Sequence, residues 1–178
     1  MIANWEFVLL RHGEPDWSPV IERGAKGWGF DLAPLSSKGV AQVEALADAE
    51  PFGRPSLIIT SSTVRTLQTA HILAARWQLP LEVAFGLHEW VPDLSLSWSS
   101  HDQVEKAEAE FNRMQGLWPP GENLGWETLP MLRARVDREI QSYSKHKGVL
   151  VVSHASVIRA LSGRSLNYSE YTQYQLGA

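Results

Sequence analysis

The sequence predicts an α/β protein, a three-layer α/β/α sandwich with a largely parallel central sheet. Short apolar runs alternate along the chain with stretches of helical periodicity, as in successive β–α–β units. Each apolar run is continuous instead of alternating with polar residues, which indicates strands that are buried on both faces. The length of 178 residues fits a single domain, over residues 1–178, with a core of its own.

The first half of the chain provides three predicted strands and two predicted helices. The strands are residues 5–10, 56–60 and 81–85. One helix begins at Ser36 or Ser37 and ends near residue 50, and the other begins at Ser61 or Ser62 and ends near residue 77, because serine is a favoured N-cap. Residues 12–35 are rich in glycine and proline, which predicts a loop.

The second half begins with a segment of different character, at about residues 86–126. It contains four of the eight tryptophans and one polar helical stretch, which predicts an insertion that covers the sheet edge like a lid. The remaining predicted elements are a helix at 127–143, a strand at 149–152 and a helix at 156–162.

Composition excludes several classes of protein. The formal net charge of −4 argues against non-specific binding to nucleic acid or to an anionic membrane. No apolar run approaches the roughly 20 residues that a membrane helix needs, and the N-terminus has no signal-peptide pattern, so we predict a cytoplasmic protein. The absence of cysteine excludes disulfides, cysteine-ligated metals and a cysteine nucleophile.

Charged side chains follow three of the predicted strands. Arg11 and His12 follow the first strand, Arg65 follows the second, and His154 follows the strand at 149–152. The carboxyl ends of parallel strands meet at one edge of a sheet, so these side chains should lie together. One guanidinium group can bind two phosphate oxygens through two parallel hydrogen bonds, and helix N-termini attract anions. The sequence therefore predicts a phosphate site in a protein that is acidic overall.

The same residue types suggest how a phosphate ester would react. A neutral imidazole can attack phosphorus and form a covalent intermediate, and nearby arginines lower its pKa and keep it neutral. The departing alkoxide needs a proton, which a carboxyl group with a raised pKa can donate. Glu89 follows the third predicted strand at the same edge and is the candidate for that acid.

Four motifs, in this order, resemble the markers of the histidine phosphatase superfamily, also called phosphoglycerate-mutase-like. They are Arg11-His12-Gly13-Glu14, Leu35-Ser36-Ser37-Lys38-Gly39, residues 61–70 and residues 153–159. A single Arg-His-Gly would be a weak signal. The ordered set spans most of the chain, and its third motif is long and specific.

This resemblance implies a role for each matching residue. His12 would be the nucleophile that becomes phosphohistidine, and Arg11 and Arg65 would bind the phosphate. His154 would stabilise charge on the phosphoryl group that is transferred. Glu89 would be the general acid and later the base that activates water. The resemblance implies no metal and no other cofactor, because cationic side chains supply the charge stabilisation.

The chain departs from the family pattern at several positions. Ser18 stands where many members have asparagine, and its hydroxyl is expected to contact the substrate. The last motif commonly reads His-Gly-Gly, whereas here Ala155 and Ser156 follow the histidine; the backbone N–H of Ala155 is expected to bind phosphate. The family commonly continues into another strand where this chain ends, so a short C-terminus is expected.

These observations predict a metal-independent phosphomonoester hydrolase that acts on a small phosphorylated substrate. Mutases of the family usually carry Glu-Arg-x-Tyr-Gly at the acid, whereas Glu89 is followed here by Trp-Val-Pro-Asp, which favours a phosphatase. Two alternatives stay open. One is phosphoglycerate-mutase-type phosphoryl transfer, which needs more cations in the lid. The other is a catalytically weak phosphate-binding scaffold. The sequence identifies neither the substrate nor the oligomeric state.

The other candidate residues receive simpler interpretations. Glu14 is expected to be structural and to hold either Arg11 or a loop. Trp17 and Trp28 are expected either in the core or at the mouth of the site. The remaining histidines are predicted to have no catalytic role: His71, His88, His101 and His146.

Overall fold

The computed structural model describes residues 5–177. Residues 1–4, on which the prediction of no signal peptide partly rests, and Ala178 lie outside this range. The central sheet consists of β1 (Phe7–Arg11), β2 (Leu57–Thr60), β3 (Leu81–Val83), β4 (Val149–Ser153) and β5 (Tyr171–Tyr174). The strand order is β3-β2-β4-β1-β5. Neighbouring strands are parallel except β1 and β5, so the predicted, largely parallel sheet is confirmed.

Helices cover both faces of this sheet. They are α1 (Ser18–Glu22), α2 (Ser37–Ala49), α3 (Val64–Trp77), α4 (His101–Arg113), α5 (Leu129–Ser142) and α6 (Ala155–Ser162). Short 3₁₀ turns occupy Gly27–Leu32 and Phe85–Leu87. Among the described helices, none is long and apolar enough to span a membrane.

The layers follow from the alternation of side chains along each strand. In β1, Phe7 and Leu9 belong to a core shared with α5 and α6, whereas Val8 and Leu10 belong to a core shared with α2 and α3. Because both faces of the central strands are buried, their sequences are continuous apolar runs. This arrangement is the predicted three-layer α/β/α sandwich.

The two helices of the first half begin differently. Ser36 caps α2 as predicted, because its hydroxyl oxygen accepts a hydrogen bond from the Gly39 N–H at 3.0 Å. Helix α3 begins at Val64, later than predicted, with Thr63 at its N-cap. The Ser61 N–H donates instead to the Val152 carbonyl oxygen at 3.0 Å, which extends the β2–β4 pairing beyond the strand. Ser61 therefore still pairs with β4, and the helix begins three residues later, at Val64.

Two local predictions were wrong. The predicted loop at residues 12–35 contains α1 and the Gly27–Leu32 turn, which are too short to show a periodic pattern. Strand β5 was not predicted, because Tyr-Thr-Gln-Tyr at a sheet edge is half polar and has no continuous apolar run. It pairs with β1 in antiparallel orientation and closes that side of the sheet.

A close contact between two motifs fixes the loop after β1. A β-carbon at Gly13 would lie 2.7 Å from the Gly39 carbonyl oxygen, and one at Gly39 would meet the Glu14 backbone. Only glycine permits α2 to approach the loop this closely. The Glu14 carboxylate then accepts hydrogen bonds from Lys38 at 2.6 Å and from Ser36 at 3.3 Å. Glu14 thus holds the loop, as expected.

Candidate active site

His12 lies directly after β1 and is 4% exposed. Its backbone N–H donates to the Ser153 carbonyl oxygen, which fixes the residue beside β4. The ring Nδ1 lies 2.7 Å from the Gly13 carbonyl oxygen. A carbonyl only accepts, so Nδ1 carries the hydrogen and Nε2 keeps a free lone pair. Burial, reinforced by Arg65 and to a smaller extent by Arg11, lowers the pKa of His12 to about 3. The ring is therefore neutral and able to act as a nucleophile.

His154 is fully buried behind His12, and the two ring centroids are 5.2 Å apart. Its Nδ1 lies 3.4 Å from the Arg65 Nη2, which can only donate, so Nδ1 accepts. The Nε2–H then donates to the Ser61 hydroxyl oxygen at 2.9 Å. Burial, with Arg65 as the next cause, holds the pKa of His154 well below its ordinary value. His154 does not line the cavity described below, and the structure shows it supporting Arg65.

Arg65 is the second residue of α3 and is 4% exposed. Its Nη2 lies 3.5 Å from the Asp31 carboxylate, and its guanidinium carbon lies 5.2 Å from the centre of the Trp17 ring. Within residues 5–177, its Nη1 is buried without a hydrogen-bond partner. A buried guanidinium donor without a protein partner is a signal for a bound anion.

Arg11, the last residue of β1, shows the same signal. Its Nη1 donates to the Leu166 carbonyl oxygen at 2.7 Å, and its guanidinium stacks 4.1 Å above the centre of the Tyr168 ring. Its Nε is buried and finds no partner among the described residues. Arg11 and Arg65 both line the cavity that contains His12, and each has one buried N–H donor without a partner among the described residues.

Glu89 lies two residues beyond the Phe85–Leu87 turn and is half-buried. Its Oε1 accepts a hydrogen bond from the Trp90 N–H at 2.9 Å. Burial raises the pKa of Glu89, although the Trp90 bond and the positive charge of Arg65 oppose the change. A raised pKa favours the protonated form of the carboxyl group, which is the form that a general acid needs.

Arg135 of α5 holds the segment that carries Glu89. Its Nη1 donates to the carbonyl oxygens of Gly86 and His88, both at 2.8 Å, and its Nη2 donates to that of Glu89 at 3.0 Å. The Nε and Nη2 also bind both oxygens of the buried Glu127 carboxylate, at 2.6 and 2.8 Å. Five hydrogen bonds thus use the full donor capacity of the guanidinium.

Glu127 holds the same segment from the other side of Glu89. Its carboxylate accepts from the Val91 N–H at 3.2 Å, and its backbone carbonyl accepts from the Trp90 indole N–H at 2.6 Å. The residues before and after Glu89 are therefore fixed by one buried ion pair. We refer to Glu127 and Arg135 as the clamp.

The site residues surround a cavity of about 400 Å³ at the carboxyl ends of the strands. Five predicted residues line it: Arg11, His12, Arg65, Glu89 and Ala155. Ser18, at the start of α1, is exposed and is not among the lining residues; its N–H donates to the Asp16 carboxylate. Trp17 lines the cavity, whereas Trp28 packs edge-on against His88 with ring centroids 5.1 Å apart.

Several residues of the site were missed by the sequence analysis. Asp31 and Tyr168 line the cavity, and the clamp lies behind it. Asp31 lies in the short Gly27–Leu32 turn and Tyr168 lies in a turn before β5, and neither carries a periodic pattern. Arg135 looks like any charged residue on a helix surface. Of the described residues, no three His, Asp or Glu side chains come close enough together to hold a metal ion.

The parallel sheet, the buried histidines and the two arginines together define an α/β protein with a cavity at the strand ends that is suited to an anion. A family model for the histidine phosphatase superfamily (branch 1) matches residues 7–177. The chain belongs to that superfamily, in agreement with the resemblance of its four motifs.

Relatives of known activity include phosphatases and mutases. The chain is 32% identical over 167 residues to a metal-independent phosphoserine phosphatase of Arabidopsis thaliana, with 88% of this chain and 66% of that protein covered. The chain therefore spans slightly less than two thirds of that relative. It is 26% identical over 190 residues to a 2,3-bisphosphoglycerate-dependent phosphoglycerate mutase of Chlamydia trachomatis serovar L2, with 86% and 80% covered.

Solved structures with the same fold include phosphatases. A mycobacterial glucosyl-3-phosphoglycerate phosphatase, in complex with VO3, has a TM-score of 0.66 and 26% identity, with 94% of this chain and 89% of that chain covered. A putative alpha-ribazole-5'-P phosphatase from Escherichia coli has a TM-score of 0.62 and 24% identity, with 90% and 81% covered. The second likeness concerns the fold alone.

Proposed function

We propose that this protein is a metal-independent phosphomonoester hydrolase that acts through a covalent phosphohistidine at His12. One observation carries the proposal: neutral His12 shares its cavity with two arginines that each have a buried N–H donor without a partner among the described residues. These donors are suited to the oxygens of a phosphate group. The phosphatases among the relatives support the same chemistry.

In the first half-reaction, Nε2 of His12 attacks phosphorus. The N–P bond forms while the bond from phosphorus to the ester oxygen breaks, and Glu89 donates its proton to the departing oxygen. Arg11 and Arg65 stabilise the charge on the phosphoryl oxygens. The Nδ1–H stays hydrogen-bonded to the Gly13 carbonyl oxygen, and this bond stabilises the positive charge that forms on the ring.

In the second half-reaction, the phosphoryl group passes from His12 to water. The ionised Glu89 takes a proton from a water molecule as its oxygen attacks phosphorus. The N–P bond breaks, inorganic phosphate forms, and His12 and Glu89 return to their starting states. Each site residue is thereby used twice, as in other double-displacement reactions.

The mutase alternative finds less support in the cavity. A phosphoglycerate carries a carboxylate besides its phosphate, and it needs cations beyond those that bind the phosphate. Of the described residues that line the cavity, Arg11 and Arg65 are the only lysines or arginines. The similarity to phosphoglycerate mutases is the observation that favours this alternative. The complete set of His12, Glu89 and two arginines counts against a scaffold without turnover.

The segment at 86–126 is proposed as a lid over the site within a single domain. It supplies Glu89, Trp90 and Trp98 to the cavity wall, and α4 lies within it. The contact from Ser18 to substrate, the charge-stabilising role of His154 and the cytoplasmic location stay predictions. Cell fractionation tests the last of these.

The decisive experiment traps the intermediate. The protein is mixed briefly with a ³²P-labelled phosphomonoester in excess EDTA, quenched in alkali and digested. We expect acid-labile label on His12, and no label and no turnover in His12→Ala. His71→Ala, which changes an exposed histidine, should behave like the wild type. Label on serine, the absence of label during turnover, or a requirement for a divalent metal would contradict the mechanism.

A further inference from the structure

Part of the cavity has aromatic walls, which are formed by Trp17, Phe30, Trp90 and Trp98, and we refer to this part as the outer half. Trp90 and Trp98 are largely buried, and the Trp90 indole N–H is fixed by its bond to Glu127, so these rings cannot turn aside without disturbing their surroundings. Rigid aromatic faces bind flat or apolar groups with little loss of conformational freedom. The outer half is thus suited to the alcohol part of an ester that contains a ring.

The charges of the same walls are negative. Asp31 and Glu108 are the acidic lining residues besides Glu89, which holds its proton in the first half-reaction, whereas Arg11 and Arg65 are the only lysines or arginines among the described lining residues. A bound phosphate dianion uses both guanidinium groups. The remaining carboxylates then dominate the potential that acts on the rest of the substrate, and at the exposed Glu108 this potential is screened by salt.

His101 is the remaining ionisable group of the outer wall. It begins α4, and its Nε2 lies 3.5 Å from the Glu105 carboxylate. Glu105 thus adds a further acidic group next to the cavity. Glu108, one turn farther along α4 than Glu105, is exposed at the cavity mouth and makes no salt bridge with a described residue. It is free to interact with the end of a substrate.

We propose that the outer half of the cavity selects aryl or similarly flat phosphomonoesters whose far end is cationic, and rejects those whose far end is anionic. This inference rests on the proposed phosphatase function and adds the class of alcohol to it. The aromatic faces attract a cation through their ring quadrupoles, and Glu108 attracts it by charge. A carboxylate in the same place is repelled by Glu108 and by the faces of the aromatic rings.

Three phenyl phosphates test this selectivity. They are O-phosphotyramine, 4-ethylphenyl phosphate and the phosphate ester of 3-(4-hydroxyphenyl)propionate, which share a phenol leaving group and differ in the charge at the end of a two-carbon arm. We expect kcat/KM to fall in that order, with at least about a tenfold difference between the ammonium and carboxylate esters at low salt. The difference should shrink as salt is added.

Variants locate the source of the selectivity. Glu108→Gln should reduce the ratio between the ammonium and carboxylate esters severalfold. Glu44→Gln, which makes the same charge change on an exposed position of α2, should leave it unchanged. Equal kcat/KM values for all three esters, or a ratio that Glu108→Gln does not alter, would overturn the proposal.

A binding measurement separates this inference from the proposed function. The matching benzylphosphonates, which cannot be hydrolysed, are titrated by calorimetry into the wild type and the Glu108→Gln variant. The same ranking in Kd supports the selectivity even if no ester is hydrolysed. The absence of hydrolysis would contradict the proposed phosphatase function and leave the selectivity standing. Equal Kd values would refute the selectivity even if hydrolysis is rapid.

Discussion

His12 and His154 show how burial and hydrogen bonding together set the state of a side chain. Both rings are buried beside Arg65, so a proton on either ring would be poorly solvated and repelled. Each ring is held in a different tautomer by its partners: Gly13 fixes the hydrogen of His12 on Nδ1, and Arg65 fixes that of His154 on Nε2. Neutrality and orientation of the nucleophile follow from the same contacts.

At the residue scale, Glu89→Gln should affect esters according to their leaving groups. For an alkyl phosphate, kcat/KM should fall by about 10²- to 10⁴-fold, because the alkoxide departs only with a proton. For 4-nitrophenyl phosphate the loss should be much smaller, because nitrophenolate departs without one. Steady-state kinetics with the two esters measures the difference, and an equal loss for both would contradict the role of general acid.

The same residue is expected to set the alkaline side of the pH profile. In the proposed mechanism the protonated form of Glu89 is the active one, and burial raises its pKa, so kcat/KM of the wild type for an alkyl ester should fall as pH rises through that raised pKa. Glu89→Gln should lack this decline.

At the scale of elements, the clamp connects α5 to the segment that carries the acid. Arg135 and Gly86 are 49 residues apart in the sequence, yet one guanidinium orders the carbonyl groups of Gly86, His88 and Glu89. A buried salt bridge of this kind costs desolvation energy, and its contribution is to fix the position of the groups that it binds. The position of Glu89 therefore depends on α5 as well as on its own turn.

Removal of one clamp partner should destabilise the protein strongly. Arg135→Met leaves the Glu127 carboxylate buried without a counter-ion, so we expect the free energy of unfolding to fall by about 3–5 kcal/mol. Urea denaturation measures the change. Arg138→Met, at an exposed position of the same helix, should stay within about 0.5 kcal/mol of the wild type. The double variant Arg135→Met/Glu127→Gln should recover part of the loss, and a full loss in that variant would refute the charge argument.

The elements also show where sequence patterns succeed and fail. In α5, the spacing of Leu129, Leu132, Val136 and Ile140 predicts one inward face, and the last three are buried while Leu129 is half-buried. In α3, the spacing predicts a shared face of Leu67, Ala70, His71 and Ala74, but His71 is exposed, while Arg65 on the same helix is buried. Arg65 is buried because it lines the cavity, and the periodicity of hydrophobic residues does not reveal such positions.

For the whole molecule, the neutral buried histidines predict acid sensitivity. The ordinary histidine pKa of 6.5 applies to the unfolded chain, whereas the folded pKa of His12 is about 3. Between these values the unfolded state binds a proton that the folded state does not bind. The stability that neutral His12 contributes is thus complete above pH 6.5 and is lost as pH falls, at about 1.4 kcal/mol per pH unit for each such histidine.

His12→Asn isolates this contribution. The asparagine amide can replace the hydrogen bond to Gly13 but cannot titrate. Urea denaturation from pH 7 to 4 should show a shallower loss of stability in the variant, by about one proton's worth of slope. Parallel curves for the two proteins would contradict a depressed pKa for His12.

The sequence alone determined the layers of this protein and the main residues of its pocket. Apolar runs define buried parallel strands, and parallel strands bring their carboxyl ends together, so Arg11, His12 and Arg65 had to meet at one edge. Only the tertiary structure decided that Tyr168 stacks on Arg11, that Asp31 pairs with Arg65 and that Arg135 orders the segment of Glu89. The reason is physical: periodicity and caps are properties of neighbouring residues, whereas these contacts join distant parts of the chain that become neighbours only after the sheet has formed.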